Sequence, residues 1–316
     1  MGKPMFDLTQ PKGSRAPELI PGGEWFNSKP LTMAELKGKV ILIDFWTYTC
    51  INCQRTLPYV KEWWKKYQDK GLVVIGVHSP EFEFEKESKN LAKAINDFGL
   101  TYPIVQDNDF ATWRAYNNHY WPAKYVIDKD GLIRYSHFGE GNYDETEKMI
   151  QNLLNESGAR DINLNINNPT AQAFGRTPET YIGYNRISNF SSPETIDKNV
   201  ISTYTSPDSL SDNSFSLKGK WNIMSEYALP QKDSELSFNF DAKEVYLVMK
   251  TNGKKSQVKV YVDEKMQYFG EDNNEGVVSV DSDKLYKLVL LPTPGKHILR
   301  LEFQDSNVEI FAFTFG

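Results

Sequence analysis

Apolar and polar positions follow two different patterns along this chain, and the change lies near residue 160. In the first half, Val40–Phe45 and Leu72–Val77 are continuous apolar runs, and between them apolar residues recur at helical spacing from Leu57 to Tyr67. An uninterrupted apolar run is typical of a strand covered on both faces. Strands and helices therefore alternate, which predicts an α/β domain with helices on both faces of a central sheet.

Turn and capping residues divide the rest of this half. Gly71 and Gly99 stand where the first two helical patterns end, and such glycines are common helix terminators. Ala123–Asp128 and Leu132–Phe138 read as a hairpin around the intervening Lys-Asp-Gly turn. Asp144 and Glu147 have capping-box spacing and predict the start of a last helix.

The second half shows alternation with a period of two, as in residues 236–240 and 258–262. Asn-Gly, Asn-Asn-Glu-Gly and Pro-Thr-Pro-Gly turn sequences separate the runs, the last of them at residues 292–295. Many short strands at this spacing predict an all-β antiparallel sandwich, most simply a jelly roll. We expect a redox domain at 1–160, a linker or domain entry at 161–180 and a β-sandwich at 181–316.

Composition excludes only a few classes of function. The chain has 36 Lys and Arg against 42 Asp and Glu, which gives a net charge of −6. It lacks the excess of basic residues that would indicate nucleic acid as a partner. No apolar stretch reaches the roughly 18 residues of a membrane span, and residues 1–6 lack an apolar signal region. We therefore expect either a cytosolic protein or a soluble piece whose export signal or anchor has been removed.

The chain has two cysteines, Cys50 and Cys53, in a Cys-Ile-Asn-Cys motif between the first apolar run and the first helix. A helix N-terminus carries unpaired N–H groups and partial positive charge, so a thiol there is stabilised as the nucleophilic thiolate. Cys53, one turn further in, is placed to resolve the mixed disulfide that Cys50 forms. The pair predicts thiol–disulfide exchange, with the redox-active disulfide itself in place of any cofactor.

Asp44 is the one charged residue in the apolar run. Burial should raise its pKa, which would suit a base for Cys53; the alternative is an Asp that is hydrogen-bonded to backbone.

For the cysteines, the alternatives are a zinc half-site or inert core residues. Zinc needs about four ligands, and the four histidines show no metal spacing, so we expect no metal.

Four segments carry a resemblance to a known family: Asp44–Pro58, Tyr120–Asp128, Phe138–Gly141 and Thr177–Gly183. The first resembles a thioredoxin active site. Together they resemble the soluble C-terminal region of DipZ-type proteins, within the TlpA/ResA-like thioredoxins. The resemblance covers essentially the whole chain and is most specific around the cysteines. It implies a thioredoxin-like domain followed by a β domain that resembles carbohydrate-binding modules.

The resemblance also implies residue roles. Cys50 would attack, Cys53 would resolve, and Asp44 would be the buried acid of thioredoxins. Pro122 would be the cis-proline beside the disulfide, and the backbone of Trp121 would pair with a substrate strand. Two departures limit the comparison: Ile-Asn replaces Gly-Pro between the cysteines, and Thr56 stands where many TlpA/ResA-like proteins have a glutamate.

DipZ-type proteins carry an N-terminal membrane domain that passes electrons to this soluble region. The resemblance therefore implies an extracytoplasmic reductant of protein disulfides, with such a membrane domain as its electron donor. Trp46, Tyr48 and Trp121 could line an apolar substrate groove, although each is also a plausible core residue. Residues 81–85, which alternate Glu and Phe, could form a mobile lip, but a solvated helix entry is the simpler expectation.

Two other functions remain open. Thr47 and Cys50 fit a Thr-x-x-Cys pattern of thiol peroxidases, although Ile43 stands where such enzymes carry a proline.

The β domain could instead bind glycan, with the redox domain as its cargo. The candidate sugar platforms are Trp221, Tyr227, Tyr246, Tyr261 and Tyr268. Acidic clusters at 272–275 and 281–283 could bind calcium, but polar loop tips explain them equally well.

Overall fold

The computed structural model describes residues 13–169 and 174–316. The chain divides into two compact units, Met1–Ala171 and Gln172–Gly316. The first is α/β and the second is all-β, so the fold class expected from the hydrophobic patterns is confirmed. The jelly-roll arrangement within the second unit stays a prediction.

Strands and helices alternate in the first unit, as the apolar runs predict. Its strands are β1 (Trp25–Phe26), β2 (Val40–Trp46), β3 (Leu72–His78), β4 (Ile104–Gln106), β5 (Ala123–Ile127) and β6 (Ile133–Phe138). Its helices are α1 (Ile51–Tyr67), α2 (Ser88–Phe98), α3 (Ala111–Ala115) and α4 (Tyr143–Glu156). The strand order is β1-β4-β3-β2-β5-β6, with β2, β3 and β4 parallel and the others antiparallel to their neighbours.

The apolar runs lie at the centre of this sheet, where every residue of β2 is buried. The glycine stop of α2 is confirmed, because Gly99 is its C-cap with a left-handed φ of 63°; α1 ends at Tyr67, and Gly71, with φ of 105°, ends the 3-10 helix Gln68–Lys70 that follows it. The prediction of a capping box at the start of α4 is wrong. Asn142 is the N-cap and makes no side-chain capping bond. Glu147 is buried instead, and accepts hydrogen bonds from Tyr67 Oη and Lys66 Nζ.

The segment after α4 is held to the first unit by hydrogen bonds. The Asn163 carbonyl accepts from Tyr67 Oη at 3.1 Å and from Gln151 Nε2 at 3.1 Å. Asn168 Nδ2 donates to Glu147 at 2.8 Å. The backbone N–H of Thr177 donates to the Asp241 carbonyl within the second unit. The predicted linker range of 161–180 therefore contains residues that are tied to one unit or the other.

Antiparallel strands build the second unit. They are β7 (Thr180–Tyr181), β8 (Ile201–Tyr204), β9 (Phe215–Ile223), β10 (Ala228–Pro230), β11 (Ser234–Thr251), β12 (Ser256–Val262), β13 (Asn273–Asn274), β14 (Val277–Val280), β15 (Lys284–Phe303) and β16 (Val308–Phe315). The main order is β13-β14-β12-β15-β11-β16-β10-β9-β8, with β7 paired to β16. Because β9 also pairs with β11, the pairings β11-β16-β10-β9-β11 close into a ring.

Two strands, β11 and β15, have 18 and 20 residues and pair with each other along most of their length. The predicted turn at residues 292–295 is wrong, because β15 runs continuously through it. Ala242 pairs with Gly295 and Glu244 pairs with Leu290, so residues 291–294 lie opposite Lys243 alone. Proline cannot donate to a ladder, and an irregularity of this kind is where a strand tolerates it. The two prolines therefore mark a bulge at which the strand bends and continues.

Candidate active site

Cys50 lies between the carboxyl end of β2 and the first turn of α1. It is the N-cap residue, with φ −76° and ψ 116°, and its Sγ accepts a hydrogen bond from the backbone N–H of Cys53 at 3.3 Å. A helix N-cap side chain normally satisfies one of the free N–H groups of the first turn. Here a sulfur atom takes that place, so the positive end of the helix points at a potential thiolate.

The two cysteines differ in accessibility. Both are free thiols in this structure; Cys50 is partly exposed, whereas Cys53 is 1% exposed. Burial raises the pKa of Cys53, and the hydrogen bond and charge of Cys50 raise it further. Cys50 is therefore the sulfur that an external disulfide can reach, and Cys53 is a protected thiol that needs a base to ionise.

Asp44 lies in the middle of β2 and is 1% exposed. Among the residues that the structure describes, neither of its carboxylate oxygens has a hydrogen-bond partner. Burial raises its pKa to about 6, while the positive charge of Lys124 acts in the opposite direction. The Asp44 charge also contributes to the raised pKa of Cys53, so the two groups interact. The alternative of an Asp hydrogen-bonded to backbone does not hold in this structure.

Lys124 is a site residue that the sequence reasoning missed. It lies on β5 directly opposite Asp44 on β2, it is fully buried, and its Nζ has no hydrogen-bond partner in the described part of the chain. Burial lowers its pKa, and Asp44 is the largest influence in the other direction. Directly opposite residues of neighbouring strands point to the same face. Lys124 was detectable as the one charged residue in the buried strand Ala123–Ile127.

The Trp121–Pro122 peptide bond is cis. The Pro122 carbonyl accepts a hydrogen bond from Gly139 N at 2.8 Å, and Trp121 Nε1 donates to the Ser79 carbonyl at 3.0 Å. The half-buried Trp121 ring packs against Trp113, with centroids 4.4 Å apart. Of the three aromatic residues expected to line a groove, Trp121 is the one with exposed surface.

Trp46 and Tyr48 do not line a groove. Trp46 is fully buried at the end of β2, with its ring edge toward His78. Tyr48 is 2% exposed and stacks on His78 with centroids 5.5 Å apart. Trp46 is covered as part of β2, and Tyr48 packs against His78 and Phe84, so neither ring offers surface to a substrate in this structure.

Residues 81–85 form neither a mobile lip nor a solvated helix entry. A short 3-10 turn covers Glu83–Lys86, and Phe82, Phe84 and Glu85 are buried. The Glu85 carboxylate accepts hydrogen bonds from the Thr47 and Thr49 hydroxyls, both at 2.6 Å. Glu85 thus reaches the segment that precedes Cys50, a contact that the alternation of Glu and Phe did not indicate.

Most of the aromatic residues expected to bind sugar in the second unit are buried or packed against other side chains. Trp221 and Tyr246 are buried, which contradicts a platform role for either. The Arg300 guanidinium lies 4.0 Å from the centre of the Tyr261 ring, and the Tyr227 ring packs on Phe311.

The acidic cluster at 272–275 is also occupied by protein groups. Asp272 accepts hydrogen bonds from Lys284 Nζ at 2.6 Å and Lys287 N at 2.8 Å. Within residues 13–169 and 174–316, no group of three or more His, Cys, Asp or Glu side chains is arranged to hold a metal ion. No helix in these ranges is both long and apolar enough to cross a membrane.

Comparisons with known proteins cover both units. Residues 13–136 match the AhpC/TSA family model, and residues 177–316 match a model described as a thioredoxin-like C-terminal domain. Protein DipZ of Mycobacterium bovis is 36% identical over 312 residues, which are 95% of this chain and 43% of DipZ. The chain thus spans less than half the length of that relative.

Shorter relatives match the first unit alone. The thiol-disulfide oxidoreductase YkuV of Bacillus subtilis is 35% identical over 142 residues, which are 45% of this chain and 95% of YkuV. A solution structure of a thioredoxin-like protein in the oxidised form is 34% identical, covers 46% of this chain and 97% of its own, and has a TM-score of 0.42. The chain belongs to the thioredoxin-like thiol–disulfide oxidoreductases and is homologous to the soluble region of DipZ.

Proposed function

We propose that this chain reduces protein disulfides through Cys50 and Cys53. The observation that carries the proposal is the contrast between the two sulfurs. Cys50 is partly exposed and caps α1, whereas Cys53 is buried and donates its backbone N–H to the Cys50 sulfur. An accessible nucleophile and a protected resolving thiol, three residues apart, are what a two-step disulfide exchange requires.

In the first step, the Cys50 thiolate attacks one sulfur of a substrate disulfide. A Cys50–substrate disulfide forms, and the second substrate sulfur leaves as a thiolate that takes up a proton from water. In the second step, Cys53 gives its proton to Asp44 and attacks the Cys50 sulfur. The Cys50–Cys53 disulfide forms and the first substrate sulfur leaves. Two electrons have moved from the dithiol to the substrate disulfide.

The buried pair of Asp44 and Lys124 suits the second step. A base for Cys53 must be ionised at neutral pH, and a pKa of about 6 leaves the Asp44 carboxylate mostly ionised at pH 7. Before proton transfer, the cation of Lys124 faces the Asp44 carboxylate. After transfer, it faces the Cys53 thiolate. The buried site holds one positive and one negative charge in both states, so the transfer does not create an uncompensated buried charge.

The reducing direction and the electron donor are parts of the proposal that rest on homology with DipZ. That homology covers 95% of this chain. A membrane domain of the DipZ type would return two electrons to the Cys50–Cys53 disulfide, and we propose that the reaction takes place outside the cytoplasm. The Thr47 hydroxyl, which a thiol peroxidase would need at the reacting sulfur, donates to Glu85 instead.

Replacing each cysteine separates the two steps. With the aromatic disulfide 5,5′-dithiobis(2-nitrobenzoic acid), we expect Cys53→Ser to release one thiolate and to keep the other half as a mixed disulfide on Cys50, visible by mass spectrometry. We expect Cys50→Ser, the matched control, to show no fast release because Cys53 is 1% exposed. Equal fast release from Cys50→Ser and the unmodified chain would refute the assignment.

Asp44→Asn should slow the second thiolate release and leave the first unchanged. General-base catalysis contributes about 10²- to 10⁴-fold, so we expect a loss of about 100-fold at pH 7. In the unmodified chain, the second phase should slow as the pH falls through about 6, because Asp44 then becomes protonated. The variant should lack this inflection. Stopped-flow absorbance resolves both phases, and an unchanged second phase would exclude Asp44 as the base.

Lys124→Met should raise the pKa of Asp44 above its value of about 6, because Lys124 is the cation that lowers it. A carboxyl ¹³C NMR titration of Asp44, assigned with the Asp44→Asn variant, measures this value. Lys148→Met is the control, since Lys148 lies exposed on α4. If both variants leave the Asp44 titration unchanged, Lys124 is not its counter-ion.

The redox equilibrium with dithiothreitol or glutathione tests the direction. A reductant should have a potential near that of thioredoxin, about −270 mV, and far from the value of about −120 mV of the oxidant DsbA. Alkylation and mass spectrometry give the oxidised fraction at each buffer ratio, with Cys53→Ser as the blank. A potential near the DsbA value would reverse the proposed direction while leaving the exchange chemistry intact.

A further inference from the structure

Glu85 is a fully buried carboxylate surrounded by hydrogen-bond donors. Its Oε1 accepts from Thr47 Oγ1 at 2.6 Å, from Thr49 Oγ1 at 2.6 Å and from Thr49 N at 3.4 Å. Its Oε2 accepts from Glu81 N at 2.5 Å and from Phe82 N at 3.0 Å. One side chain therefore joins two segments, the 47–49 turn before Cys50 and the 81–82 backbone after β3.

The 47–49 turn determines where the Cys50 sulfur lies. Cys50 N donates to the Thr47 carbonyl at 3.4 Å, and Gln54 Nε2 donates to the Tyr48 carbonyl at 2.8 Å. Glu85 holds the side chains on either side of Tyr48. The turn is thus fixed from α1 on one side and from Glu85 on the other, immediately before the residue that caps the helix.

The donors around Glu85 favour an ionised carboxylate over an amide of the same shape. Each of the five partners of Glu85 is an N–H or O–H donor. Glutamine has the same shape, but its –NH₂ would face donors in place of one oxygen. A buried donor without an acceptor is destabilising. Burial raises the pKa of Glu85 to about 7, and the Thr47 and Thr49 hydroxyls act against this rise.

His78 approaches the same network from β3. Its Nε2 lies 3.3 Å from Thr47 Oγ1, whose hydroxyl hydrogen is directed to Glu85. Burial lowers the pKa of His78 to about 3, so the imidazole is neutral at physiological pH. Hydrogen bonds, and not a histidine cation, therefore compensate the Glu85 carboxylate.

We propose that Glu85 is a positioning residue for the Cys50 nucleophile: its carboxylate holds the 47–49 turn so that the Cys50 sulfur stays at the N-terminus of α1. This inference rests on the proposed role of Cys50. Glu85 touches neither sulfur and acts through Thr47 and Thr49.

The test compares Glu85→Gln with Glu83→Gln, both made in the full chain carrying Cys53→Ser, so that Cys50 is the single thiol. The readout is the rate constant at pH 7 for iodoacetamide and for 5,5′-dithiobis(2-nitrobenzoic acid). A misplaced reacting group can cost up to about 100-fold, and we expect about a 10-fold loss in Glu85→Gln. Glu83 is exposed in the same 3-10 turn, so its variant should react like the parent.

Stability is measured beside reactivity to separate positioning from packing. A purely structural role of Glu85 would lower the unfolding midpoint and leave Cys50 reactivity in the folded protein unchanged, which would overturn the proposal. If Glu85→Gln does not fold, the Thr47→Val/Thr49→Val variant removes the two hydroxyl donors and keeps the carboxylate. It should lose several-fold in rate, and an unchanged rate would overturn the proposal.

The same data distinguish failure of this inference from failure of the proposed function. If the parent with Cys50 intact reacts no faster than free cysteine, the assignment of Cys50 as an activated nucleophile fails. If the parent reacts fast and Glu85→Gln matches it, the inference about Glu85 alone fails. If Glu85→Gln and Thr47→Val/Thr49→Val act through one network, their combination should lose about as much as the larger single effect.

Discussion

The pairing of β2 with β5 places two buried charged side chains, Asp44 and Lys124, directly opposite each other. Neither has a hydrogen-bond partner in the described residues, so their mutual attraction is the main compensation for the cost of removing both from water. Such a pair is expensive for stability. The proposed role of Asp44 as a base gives the pair a use, because the Lys124 cation lowers the pKa of Asp44 against the effect of burial.

The buried Glu85 carboxylate is compensated in a different way, by hydrogen bonds. The end of α1 presents free N–H groups to Cys50, and five further donors converge on Glu85. A lysine compensates one buried carboxylate of the site, and hydrogen bonds compensate the other. Both arrangements meet at the cysteines, because Cys50 and Asp44 each raise the pKa of Cys53.

Local patterns predicted much of the first unit, because β2 and β3 are apolar runs and α2 ends at Gly99 in a left-handed conformation. The position of Cys50 at a strand-to-helix junction followed from the same patterns. Lys124 was missed because its meaning depends on the β2–β5 register, and Glu85 because its burial depends on contacts 36 and 38 residues away. The sequence predicts a turn at the bulge in β15, since proline and glycine favour both structures.

The closed ring of strand pairings in the second unit leaves few unpaired sheet edges. Within residues 174–316, the order ends at β8 with four residues and at β13 with two. Short terminal strands offer few vacant backbone groups for another chain to extend the sheet. The second unit therefore gives other extended chains almost no template on which to add strands and aggregate.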